Sequence, residues 1–217
     1  MARMYDVSVT YNPYKRFTRA EINRDQFLPA ETEEHYNYTG EHDCKTLINT
    51  FESMTKTAWN RADSVVIDFG CGDLRVARCM ASQCKKIIGL DISPFVLEAA
   101  NRKIGEYNLV NCSLKLANEF REENAADFIY CLQVMQHNTY DEQMQIISQI
   151  KLLLKPEGYA CIHLPKLENK PDYQNIDTCM CFTKDAAEAI GENFSGFKII
   201  EDPGIKGVGD YALWVRK

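Results

Sequence analysis

The stretch Ser64-Val65-Val66-Ile67-Asp68-Phe69-Gly70-Cys71-Gly72-Asp73 decides the fold. Its first half is a short β-branched apolar run and its second half a Gly-x-Gly turn, after which Leu74 to Ser82 takes up helical spacing. This reads as strand, tight turn, helix. Because neither glycine carries a Cβ, the backbone can turn sharply there and come close to a ligand. The next apolar run, Lys86 to Leu90, ends in Asp91. A carboxylate at that strand tip, about twenty residues past the turn, is placed to accept both hydroxyls of a ribose. A nucleoside cofactor is therefore expected. Arg75 stands where a dinucleotide fingerprint carries its third glycine, which disfavours NAD and FAD.

Outward from this unit the alternation continues. Ser93 reads as an N-cap and Pro94 as the first residue of a helix reaching about Ile104. Cys112 to Leu116 and Asp127 to Leu132 follow as strands, the second without polar alternation and so expected to be buried on both faces. Asp141 to Leu154 is helical, Lys155-Pro156-Glu157-Gly158 breaks it, and Tyr159 to Leu164 is a fifth strand. Thr183 caps a helix through about Phe194, and Phe197–Glu201 and Tyr211–Arg216 close the chain as a strand pair. Upstream, Leu47, Phe51, Met54 and Ala58 mark an amphipathic helix over Cys44 to Trp59. The expected fold class is α/β: a Rossmann-like three-layer sandwich with a mainly parallel seven-stranded sheet and an antiparallel C-terminal strand. Ligands bind at the C-terminal ends of such strands.

At 217 residues the chain fits one compact domain with room for an extra lobe, and 45% hydrophobic against 26% charged residues is ordinary globular composition. The net charge of -6 argues against binding that rests on phosphate neutralisation. No apolar run resembles a secretory signal or a membrane span. Nine cysteines, several inside core-like runs such as those around Cys131 and Cys161, fit buried reduced thiols and a cytoplasmic location. Cys179-x-Cys181 lacks a second Cys/His pair at zinc spacing, so no metal is expected.

Three segments in register carry a family resemblance: Val65 to Asp73, Ile87-Ile88-Gly89-Leu90-Asp91-Ile92-Ser93, and Leu152-Leu153-Leu154-Lys155-Pro156-Glu157-Gly158. Together they resemble the class I S-adenosylmethionine-dependent methyltransferases, over about residues 44 to 217. The resemblance implies that Asp68, Gly70 and Gly72, with Cys71 between them, hold the amino acid part of S-adenosylmethionine. It implies that Asp91 binds the ribose and Ile92 packs on the adenine, flanked by Ala117 and Asn118. Cys131 to Gln133, with Leu132 between, would reach the methionine ammonium through a backbone carbonyl. Many members have a further glycine where Leu74 stands, so contacts around Asp73 and Leu74 depart from the pattern.

Methyl transfer is an in-line displacement, so the protein chiefly aligns the acceptor and excludes water; a base helps an alcohol and is dispensable for a neutral amine. His137, in Gln133-Val134-Met135-Gln136-His137 after the fourth strand, is the first candidate base, its alternative being to cap the next helix or order the loop. Gln133 and Gln136 are candidates to hydrogen-bond the acceptor. His163 either lines the pocket or is satisfied within the sheet. Residues 1–43 are polar and Tyr-rich; by likeness to related enzymes they form an N-terminal lid and substrate-binding segment, with Tyr11, Tyr14 and Tyr38 foremost, ahead of a methyltransferase domain over 44–217. Asn12-Pro13-Tyr14 is similar to a signature of amino-directed nucleic-acid methyltransferases but lies in the wrong place.

The expectation is an enzyme that moves the methyl of S-adenosylmethionine to an oxygen or nitrogen of a small metabolite and releases S-adenosylhomocysteine. Nucleic acid and membrane are not expected partners, and the oligomeric state is open. The alternatives are other chemistry on S-adenosylmethionine, or a binding protein without turnover.

Overall fold

The computed structural model describes residues 33–166, 182–205 and 210–217. Its strands are β1 (Val65–Phe69), β2 (Lys86–Asp91), β3 (Cys112–Leu116), β4 (Ala126–Cys131), β5 (Leu154–Leu164), β6 (Gly196–Glu201) and β7 (Tyr211–Arg216). The helices are α1 (Glu33–Thr55), α2 (Ala77–Met80), α3 (Pro94–Glu106), α4 (Tyr140–Leu153) and α5 (Lys184–Gly191). The strand order is β3-β2-β1-β4-β5-β7-β6, and β7 runs antiparallel to both of its neighbours. This is the expected α/β sandwich. By internal packing the described residues divide into 33–120 with 204–205, and 121–166 with 182–203 and 210–217.

In the first unit, β1, β2 and β3 pair in parallel with Val65 opposite Lys86 and Ile87 opposite Cys112. Val66, Ile67, Ile87 and Leu90 are fully buried, so these β-branched and leucine runs are core on both faces. Helix α3 starts as its residues dictate: Ser93 Oγ accepts from the Val96 N–H, and Pro94 takes the first turn, where no N–H is needed.

Helix α1 begins at Glu33, well before the expected Cys44, and so runs through the expected segment boundary at 43/44. Its buried face explains the difference. Tyr36, Gly40, Asp43, Cys44 and Leu47 lie inward at helical spacing, and a glycine, an aspartate and a tyrosine do not register as an apolar stripe. Helix α2 is shorter than the Leu74–Ser82 expected and passes into a 3-10 turn over Ala81–Gln83, because Leu74 takes a left-handed φ of 72°.

In the second unit, β4 and β5 pair in parallel with a register shift between Ala126 and Phe128, and β5 takes in Leu154, expected to end the helix, and the expected break Lys155-Pro156-Glu157-Gly158. Phe128 stacks on Trp214 with ring centroids 5.6 Å apart. Helix α4 has a reciprocal cap: Thr139 Oγ1 accepts from Glu142 N, and Glu142 Oε2 accepts from Thr139 N at 2.8 Å. Thr183 Oγ1 likewise caps α5.

Candidate active site

At the end of β1 the chain leaves Asp68, which is 5% exposed, and turns through Gly70 (φ 79°) and Gly72 (φ 51°). One acceptor organises the turn: the Leu90 carbonyl takes the N–H of Gly70 at 2.8 Å and of Cys71 at 2.9 Å. The Cys71 side chain packs inward on β2 where Gly89 leaves room for it; a Cβ on Gly89 would stand 3.0 Å from Cys71 Sγ. Burial, with Asp68 and Asp91 nearby, pushes the Cys71 thiol far above the ordinary range, so it is a packing group and not a nucleophile.

The Asp91 carboxylate is aimed by two backbone donors: Oδ1 accepts from Ser93 N at 2.9 Å and Oδ2 from Gly72 N at 3.3 Å. It is 6% exposed, and burial raises its pKa against the lowering effect of these N–H groups. A Cβ placed on Gly72 meets nothing within 4 Å, so the turn faces open space beside the carboxylate. The donor set fits an adenosyl group, since each Asp91 oxygen keeps a lone pair for a ribose hydroxyl. Ile92 is 52% exposed, as a side chain that stacks on a base needs to be. Ala117 N donates to Asp91 O at 2.9 Å and is buried, while Asn118 is exposed.

In the second unit β4 ends in buried Cys131, and buried Leu132 and then Gln133, at φ 59°, follow. A non-glycine residue in that region is strained, a common feature where a side chain is re-aimed for function. A chain of polar groups starts here. Gln136 Nε2 donates to Gln133 Oε1 at 2.8 Å, Gln133 Nε2 lies 3.4 Å from His163 Nδ1, and His163 Nε2 lies 3.0 Å from Asp210 Oδ2. Asp210 Oδ1 accepts from Lys166 N at 3.1 Å. Gln136 is 6% exposed, and its buried Oε1 has no hydrogen-bond partner among the described residues.

His163 is fully buried with its ring engaged by Asp210 and Gln133, so of the two readings left by the sequence the satisfied histidine is the one found. His137 closes a 3-10 turn over Met135–His137 and is half-buried; Thr139, not His137, caps α4. Tyr38 lies on α1, 67% exposed and stacked on His42 at 6.2 Å, rather than in an irregular segment. Tyr11, Tyr14 and the Cys179-x-Cys181 pair lie outside the described residues. Sequence reasoning missed Asp210: it sits one residue before β7, and only the pairing of His163 with Ala212 brings it to His163.

Comparison with known proteins bears on the fold. Residues 67–162 match the family model described as "Methyltransferase domain". An uncharacterized methyltransferase of Schizosaccharomyces pombe is 22% identical over 139 residues, 60% of this chain and 46% of that protein. The chain thus spans about half the length of the curated relative it matches. The 1,6-didemethyltoxoflavin-N1-methyltransferase of Burkholderia thailandensis, solved with S-adenosylhomocysteine, superposes with a TM-score of 0.57 at 15% identity, covering 89% of this chain and 86% of that one. The [4+2]-cyclase SpnF superposes with a TM-score of 0.59 at 16% identity, covering 78% and 80%. The chain has the Rossmann-like fold of the class I S-adenosylmethionine-dependent methyltransferases. No helix among the described residues is long and apolar enough to cross a membrane.

Proposed function

We propose that this protein transfers the methyl group of S-adenosylmethionine to an oxygen or nitrogen of a small-molecule metabolite, with release of S-adenosylhomocysteine. The observation that carries the reading is the Asp91 carboxylate, held by Ser93 N and Gly72 N beside an open glycine turn. Asp91 takes the ribose hydroxyls, Ile92 covers the adenine, and Asp68 with the Gly70–Gly72 turn receives the amino acid end. The bound cofactor supplies a sulfonium methyl, a carbon already activated for attack. The chain's own task is then alignment and exclusion of water. Gln133 and Gln136, which follow β4, are the groups to orient the incoming hydroxyl or amine, and His137 is the group to take its proton.

The acidic composition and the absence of a basic stripe in the sequence favour a metabolite over a nucleic acid. Thiols such as Cys131 and Cys161, buried in core strands, support a cytoplasmic setting. The fold also hosts other reactions, as its likeness to a [4+2]-cyclase indicates, so the product decides. Incubation with methyl-labelled S-adenosylmethionine and a panel of hydroxyl and amine metabolites tests the reading. Labelled product with stoichiometric S-adenosylhomocysteine supports it. Turnover of an acceptor without S-adenosylhomocysteine would replace methyl transfer with another chemistry.

A further inference from the structure

Arg75, which takes the place of a third glycine after Gly70 and Gly72, reaches helix α1. Its Nη1 lies 2.7 Å from Asp43 Oδ2, with the Arg75 side chain 14% exposed and that of Asp43 1%. Two more contacts lie on the same helix face. A Cβ on Gly40 would stand 2.1 Å from the Arg75 carbonyl oxygen, so only glycine lets α1 come this close. Arg78 Nη1 donates to Asn37 Oδ1. Asn37, Gly40 and Asp43 recur at steps of three, which places them together on one side of the helix.

The loop they touch does not hold its shape by local preference. Leu74 is left-handed without being glycine. Such backbone persists only where its surroundings over-determine it. On one flank Leu90 O and Asp91 do so. The other flank, Leu74–Arg75, runs directly into the contacts with α1. A buried ion pair gains little net stability, because desolvation offsets the attraction, and its best-attested use is to fix a register. Here the register is that of α1 on the loop.

We propose that the Asp43–Arg75 ion pair, with the close approach at Gly40, makes α1 a positioning element for the glycine loop, so that docking of α1 and binding of the adenosyl cofactor are energetically coupled. This rests on the reading that the loop holds S-adenosylmethionine. Coupling of this kind is reciprocal: a docked α1 tightens cofactor binding, and bound cofactor tightens α1. Asp43 and Arg75 touch no reacting atom and act through the loop alone.

The test uses the full chain and S-adenosylhomocysteine. Its dissociation constant is measured calorimetrically for the parent, Asp43→Asn, Gly40→Ala and, as a control, Thr139→Ala. Amide hydrogen exchange over residues 33–55 is followed in the parent with and without saturating ligand. Expected are a loss of affinity of roughly 5- to 150-fold in the two α1 variants, parent affinity in Thr139→Ala, and slower exchange over 33–55 on binding. Variants that melt lower but bind with parent affinity would mark the pair as merely structural and overturn the coupling. So would unchanged exchange over 33–55 in a parent that binds. Should the variants fail to fold, the exchange measurement on the parent decides. A parent that does not bind S-adenosylhomocysteine at all overturns the cofactor reading itself, and the coupling with it.

Discussion

The ring of His163 and the carboxylate of Asp210 meet at 3.0 Å, their side chains 0% and 2% exposed. Asp210 Oδ1 is already taken by Lys166 N, so Oδ2 accepts from His163 Nε2, which leaves Nδ1 as the acceptor facing Gln133. Removing the carboxylate strands a buried ring N–H and the Lys166 amide. Asp210→Ala should lower the unfolding free energy by about 1.5–3 kcal/mol, measured by urea denaturation. An unchanged midpoint would mean that the contact carries no weight.

Asp91 trades stability for function. Its folded-state pKa is raised by burial, so the folded chain holds that proton more tightly than the unfolded chain does. The contribution is therefore fully present below the unfolded pKa and is lost as pH rises through the folded one. At neutral pH the ionised carboxylate is a net cost. Asp91→Asn should keep or raise the melting temperature of the ligand-free protein at pH 7 and lose the rise caused by S-adenosylhomocysteine. A variant that melts lower yet still responds to the ligand would contradict this.

Gly89 is where Cys71 fits against the sheet. A methyl group there meets Leu114 Cδ2 at 2.8 Å and Cys71 Sγ at 3.0 Å, so Gly89→Ala presses on the Cys71 side chain in the glycine turn as well as on Leu114. Overpacking of this kind costs about 1–3 kcal/mol. The melting temperature and the affinity for S-adenosylhomocysteine should fall together. Parent values for both would show that the turn relaxes freely.

Among the described thiols Cys79 should react first. The hydrogen bond from the Cys44 thiol brings its pKa down to about 7, and the side chain is half-buried. Cys84 and Cys112 are pushed up to about 12 by burial. Iodoacetamide labelling followed by peptide mass spectrometry should give a rate at Cys79 that rises with a midpoint near pH 7, the signature of its thiolate. Faster labelling at Cys84 or Cys112 would contradict the assignment.

Local chemistry made much of this molecule legible in one sequence. Cys112–Leu116 and Tyr211–Arg216 have the bounds their apolar runs implied, and Ser93, Thr183 and the Gly70–Gly72 turn act as their side chains, or lack of them, dictate. The start of α1 was hidden because Gly40 and Asp43 are buried by contact with Arg75 rather than by hydrophobicity. Helix α2 was overestimated because no residue type announces a left-handed leucine. Asp210 was invisible for a third reason: it is far from His163 along the chain, and their meeting depends on antiparallel register.

The central claim is that an adenosyl cofactor binds at Asp91, and titration of the full chain with S-adenosylmethionine, S-adenosylhomocysteine and NAD, repeated on Asp91→Asn, tests it most directly. The account predicts binding of both adenosyl compounds by the parent, no binding of NAD, and loss of both by the variant. Binding of NAD in their place, or equal affinity in the variant, would contradict it.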